Sequence, residues 1–152
     1  MKNEMTDYPN ERKINKTVII NASASKVWNS LTNQELIKQW MLDTEINVIT
    51  DWQIGSPIIF KGSLHWTDFE NKGTILQFES EKAFQYNYWS TLSGLPDIPE
   101  DYTVIGFVLS QIANQTALTL TLSNIPDEVT YKHLHFYWDV TLDVFKKLCE
   151  QL

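Results

Sequence analysis

The chain has 152 residues, a formal net charge of −7, 43% hydrophobic and 20% charged residues, proportions ordinary for one soluble globular domain. With one Arg (Arg12) and scattered Lys, no face can neutralise a run of phosphates, so neither nucleic acid nor an anionic membrane surface is an expected partner. The polar start lacks the apolar run of a secretory signal, no stretch reaches the ~18 apolar residues of a membrane span, and the lone Cys149 excludes an internal disulfide. A cytoplasmic location is the expectation.

Residues 1–12 are polar and aperiodic and read as a flexible lead into a single domain over residues 13–152. Ile14, Val18 and Ile20 share one face of a first strand. Ser23 offers an N-cap for a helix reaching about Leu31. Thr32-Asn33-Gln34-Glu35 has capping-box spacing and opens a second short helix to about Trp40. Trp28 and Trp40 then turn toward a common interior.

Strand patterning follows. Ile46 and Val48 alternate with Glu45 and Asn47, and residues 52–57 form a turn punctuated by Gly55 and Pro57. Ile58, Phe60 and Leu64 share a face, and Asn71-Lys72-Gly73 reads as a turn into a strand over residues 74–80. Phe84, Tyr86 and Tyr88 alternate with Gln85 and Asn87, the cleanest half-buried strand in the chain. Strands over residues 102–110 and 116–122 complete an antiparallel run, the latter with Leu118, Leu120 and Leu122 on its dry face. Residues 90–101 carry Pro and Gly where regular structure would need neither, and read as a lid or as a plain connector.

From about Asp127 the chain reads as one amphipathic helix of ~24 residues, ~36 Å long. Leu134, Trp138, Thr141, Phe145, Leu148 and Leu152 form its apolar stripe, widened on one flank by His133, Tyr137, Val140 and Val144. Lys132, His135, Asp139, Asp143, Lys146 and Glu150 lie opposite. Strand, two short helices, a curved antiparallel sheet and a long closing helix make an α+β container.

Catalytic or metal chemistry finds little to work with. His133 and His135, two apart on a helix, diverge by ~200° and cannot clamp one ion. His135 reads as solvated, His133 as a rim residue able to hydrogen-bond a ligand, and His65 as a surface residue near a hairpin end. Cys149 reads as a buried inert thiol. Gly55, Gly62 and Gly73 are isolated, with no phosphate-cradling spacing. Asp139 and Asp143 share helical spacing on the polar arc, where carboxylates are solvated. No cofactor, metal or catalytic residue is assigned, and the chain reads as non-enzymatic rather than as an enzyme.

Aromatic residues are abundant at 12%, with six Trp, six Tyr and seven Phe. Trp40, Phe60, Phe78, Tyr86, Tyr88, Phe107, Tyr137 and Trp138 fall on inward faces. Together with His133 they form the candidate ligand-binding set. The alternative is that these rings touch one another and fill the space.

Ala24-Ser25-Lys26-Val27-Trp28-Asn29-Ser30-Leu31-Thr32 followed by Trp40 resembles the opening of the activator of heat shock protein 90 ATPase homologue-like family, within the START and birch-pollen-allergen-like superfamily. Ile54-Gly55, Lys72-Gly73-Thr74-Ile75-Leu76-Gln77-Phe78 leading to Tyr86-Asn87-Tyr88-Trp89, and the closing helix bearing Trp138 extend the resemblance over residues 14–152. It implies a helix-grip fold, a sheet wrapped around the C-terminal helix with a cavity between them. It also implies either a bound hydrophobic small molecule, a chaperone-type partner in a stress response, or cyclase- or dehydratase-like chemistry. Two departures stand out. Gly55-Ser56 replaces the family's paired glycine, and Tyr137-Trp138 replaces a Gly-Trp, which would narrow the cavity.

Overall fold

Alternating apolar side chains build a curved antiparallel sheet, and one amphipathic helix closes it. The computed structural model describes residues 12–42, 45–64 and 66–152. His65 and residues 1–11 of the expected lead lie outside them. Among the described residues the elements are β1 (Ile14–Ile20), α1 (Ala24–Thr32), α2 (Gln34–Trp40), β2 (Ile46–Ile49) and β3 (Pro57–Leu64). Then come β4 (Thr67–Glu79), β5 (Ala83–Ser90), β6 (Thr103–Ile112), β7 (Gln115–Ser123) and α3 (Glu128–Gln151).

The seven described strands form one sheet in the order β1-β7-β6-β5-β4-β3-β2. Every pairing is antiparallel. β1 joins the last strand, with Ile14 opposite Leu122 and Val18 opposite Leu118, so α1 and α2 carry the chain from one edge of the sheet toward the other. This is the helix-grip α+β architecture.

α3 covers the free edge of β1, which would otherwise expose unpaired backbone groups. Lys146 donates to the Ile19 carbonyl at 2.9 Å, the Asn21 backbone N–H donates to Glu150 at 2.8 Å, and Lys16 pairs with Asp139. Asp127 caps the start of α3, its carboxylate accepting from the Thr130 backbone at 2.8 Å.

Several local expectations are corrected. The capping box does not form at Thr32, because its hydroxyl bonds back to the Trp28 carbonyl at 2.9 Å and ends α1. Asn33 caps α2 instead, accepting from the Glu35 backbone at 2.9 Å. Asn71-Lys72-Gly73 is not a turn but the middle of β4. Gly73 serves close approach there, since a Cβ at that position would stand 1.7 Å from the Asn87 carbonyl oxygen on β5. The 90–101 segment carries one turn of 3-10 helix, Pro99–Asp101.

On α3 the buried stripe is Leu134, Trp138, Thr141, Leu142, Phe145 and Cys149, an arc of roughly 100°. The expected widening by Val140 and Val144 is absent, for both are exposed. Leu152 is also exposed and Leu148 only half-buried. Leu142 and Cys149 occupy the opposite flank, because the helix is rotated to lay its second half on α1, α2 and β1.

Candidate functional site

Inward-facing side chains of β3, β4, β5 and β6 lie on the side of the sheet that α3 covers, but they do not fill the space evenly. Toward the second half of α3 the rings pack. Trp40 lies with its ring centre 4.9 Å from that of Phe145, and its indole N–H donates to the Ser30 carbonyl at 2.8 Å. Trp28, Trp52, Phe78 and Phe84 form a continuous cluster with centre separations of 5.2–6.4 Å. Cys149 is buried in this half, and burial pushes its thiol up to about 11, so it stays protonated and unreactive at neutral pH.

Toward the first half of α3 a cavity of about 370 Å³ opens. Of the candidate set, Phe60, Tyr86, Tyr88, His133, Tyr137 and Trp138 line it. Trp40, Phe78 and Phe107 do not, because they belong to the packed half and to its border: Phe107 sits between Phe84 and Trp138. Tyr137, the departure expected to narrow the space, forms a wall, its hydroxyl donating to the Met41 carbonyl.

The polar groups converge at one end. Burial pushes the Tyr86 and Tyr88 phenols above the ordinary tyrosine range, and their mutual proximity and Tyr137 add to the shift on Tyr86. Both remain neutral hydroxyls. Asn71, Ser90 and Thr103 also line this end. Asn71 Oδ1 is buried with no hydrogen-bond partner among the described residues, a situation that costs about 1–3 kcal/mol in an otherwise satisfied interior.

Sequence reasoning missed Asn71 by assigning it to a turn; the alternation of Phe69, Asn71, Gly73 and Ile75 along β4 was the available signal. Asp101, Leu92 and Leu95 were also missed as lining residues, since they lie on the irregular segment. That segment is held over the cavity. The Trp89 indole donates to the Leu95 carbonyl at 3.1 Å, and the Asp97 carboxylate accepts from Lys72 and from the Tyr102 hydroxyl, both at 2.6 Å. These contacts hold the Asp97 carboxyl below its usual value and raise that of Lys72.

The walls are therefore mostly apolar, with Asp101 and His133 the carboxylate and imidazole available to any acid–base reading. His135 is exposed on the polar arc beside Asp139, at 3.3 Å. Among the described residues no group of His, Cys, Asp or Glu is arranged to hold a metal, and no helix is long and apolar enough to cross a membrane.

A family model described as Activator of Hsp90 ATPase homolog 1-like protein matches residues 21–150. Among solved structures, ChR145 from Cytophaga hutchinsonii is 36% identical, with a TM-score of 0.79 over 93% of this chain and 96% of that one. CV1439 from Chromobacterium violaceum shares the fold at 15% identity, with a TM-score of 0.80 over 91% and 97%. The Aha1 dimer from Colwellia psychrerythraea does so at 23% identity, with a TM-score of 0.71 over 91% and 96%. No curated protein is significantly similar to the chain.

Proposed function

The chain belongs to the Activator of Hsp90 ATPase homolog 1-like family, and from that premise we propose that it binds a small hydrophobic or amphipathic molecule between sheet and α3. The observation that carries this reading is the 370 Å³ cavity with Phe60, Tyr86, Tyr88 and Trp138 in its walls. Such composition, apolar rings with a few converging polar groups, is the usual one for small-molecule sites. Burying ~300 Å² of apolar ligand surface would contribute roughly 7 kcal/mol before association costs. Those costs take several kcal/mol, which leaves micromolar affinity. The 90–101 segment covers the site and gates it.

Native mass spectrometry of freshly purified protein, followed by thermal-shift screening with lipids and aromatic metabolites, tests the reading. A co-purifying mass or a shift of several degrees is expected. Neither appearing with any compound would overturn it.

Family membership favours a second reading, a contact with an Hsp90-type ATPase in a stress response. The exposed Phe136 and Val140 on α3, outside the cavity walls, offer it an apolar surface. An ATPase assay with and without the protein separates the two, since a ligand carrier leaves the turnover unchanged. A cytoplasmic location suits either role, with Cys149 kept as a free thiol.

A further inference from the structure

The polar end of the cavity and its charge pattern narrow the ligand class, an inference that rests on the cavity being a ligand site. Asn71 faces it from β4, opposite Phe60 on β3 and Ser90 on β5. Its Oδ1 has no partner among the described residues, and its terminal amide torsion is two-fold. A half-turn about that bond presents either the carbonyl or the amino edge to an occupant of the cavity. The Tyr86 and Tyr88 hydroxyls, from two other lining residues of the cavity, are neutral, so they can donate or accept but cannot neutralise a charge.

No Lys or Arg lines the cavity among the described residues, and Asp101 is the carboxylate there. The chain as a whole carries a net charge of −7. With His133 the one imidazole and no fixed cation among the described residues of these walls, a ligand carboxylate or phosphate would leave water without a permanent counter-charge, and a buried unpaired charge is far costlier than a buried hydroxyl with a partner. A cavity of about 370 Å³ has room for a two- or three-ring skeleton or a medium alkyl chain. We propose that the site takes an uncharged, largely apolar molecule whose hydroxyl or amide N–H donates to the Asn71 side chain, in preference to a fatty-acid-like anion.

Three matched probes test this by isothermal titration or intrinsic tryptophan fluorescence at pH 8: 4-hydroxybiphenyl, 4-methoxybiphenyl and biphenyl-4-carboxylate. The native protein is expected to bind the hydroxyl compound tightest and the carboxylate weakest. In Asn71→Leu the hydroxyl-to-methoxy affinity ratio should fall roughly five- to tenfold, the size of one net hydrogen bond, while the methoxy compound still binds. Binding of the probes with an unchanged ratio in Asn71→Leu, or tightest binding of the carboxylate, overturns the assignment but leaves the cavity as a ligand site. Absence of binding by all three overturns both. If Asn71→Leu does not fold, the order of the three affinities in the native protein decides alone.

Discussion

The two halves of α3 meet the same sheet differently. Its second half, from Leu142 to Cys149, lies on α1, α2 and β1 with Phe145 and Cys149 almost fully buried. Its first half, from Val129 to Trp138, stands off from β3, β4 and β5 and leaves the cavity. Both halves are rich in aromatic neighbours. Ring content alone therefore does not distinguish a filled core from a hollow one; the separation of helix and sheet does.

The sharpest way to break the comparison is Phe145→Ala. Removing a large ring from the packed half should lower unfolding stability by about 3–5 kcal/mol, read by chemical denaturation with the slope unchanged. An effect under about 1 kcal/mol would mean that this half is not close-packed.

Trp138 stands at the border, touching Trp40 on one side and the cavity on the other. Trp138→Ala should weaken retention of any bound molecule at least tenfold, while Asp143→Ala, on the exposed polar arc, changes it less than twofold. The reverse order, measured by titration with a ligand from the thermal-shift screen, would remove the cavity from the binding site.

Cys149 reports on the packed half without mutation. With burial holding its thiol at about 11, alkylation at pH 8 should proceed no faster than opening of the α3 contacts, many-fold slower than in urea. Rapid labelling of the native protein would show that the second half of α3 frays.

The smallest effect is expected over the cavity. Because the folded Asp97 carboxyl titrates below its ordinary value of 3.8, its contacts contribute above that value and are lost as pH falls through the depressed one. Lys72 is raised above 10.5, so its share is present below that value and lost as pH rises past it. Between these limits the segment stays pinned. Asp97→Asn should speed hydrogen exchange near Leu95 at neutral pH while leaving the midpoint of chemical denaturation unchanged; unchanged exchange would argue against the pin.

Local patterns in the chain were enough to place most elements. Alternation of Phe84, Tyr86 and Tyr88 marked β5, Ser23 marked the start of α1, and the 3.6-residue period from Leu134 to Phe145 marked α3, each a signal carried by neighbours in sequence. The failures arose where one residue type serves two geometries. Asn71 and Gly73 suit a turn, yet here Gly73 admits the β5 backbone and Asn71 pairs with Ser90 in the sheet. Thr32 suits a cap, yet its hydroxyl found the carbonyl four residues back first.

What the amino-acid order determined by itself is the list of elements and most of the inward faces, because these depend on side-chain period and residue type. Which inward aromatics wall a cavity and which fill a core was decided only in three dimensions. That division follows from where α3 comes to rest. The ion pair of Asp139 with Lys16 on β1, the hydrogen bonds of Lys146 and Glu150 to the β1 edge and the seating of Phe145 against Trp40 draw one half of α3 onto the fold. The first half spans a sheet that curves away from it, and no local pattern encodes that gap.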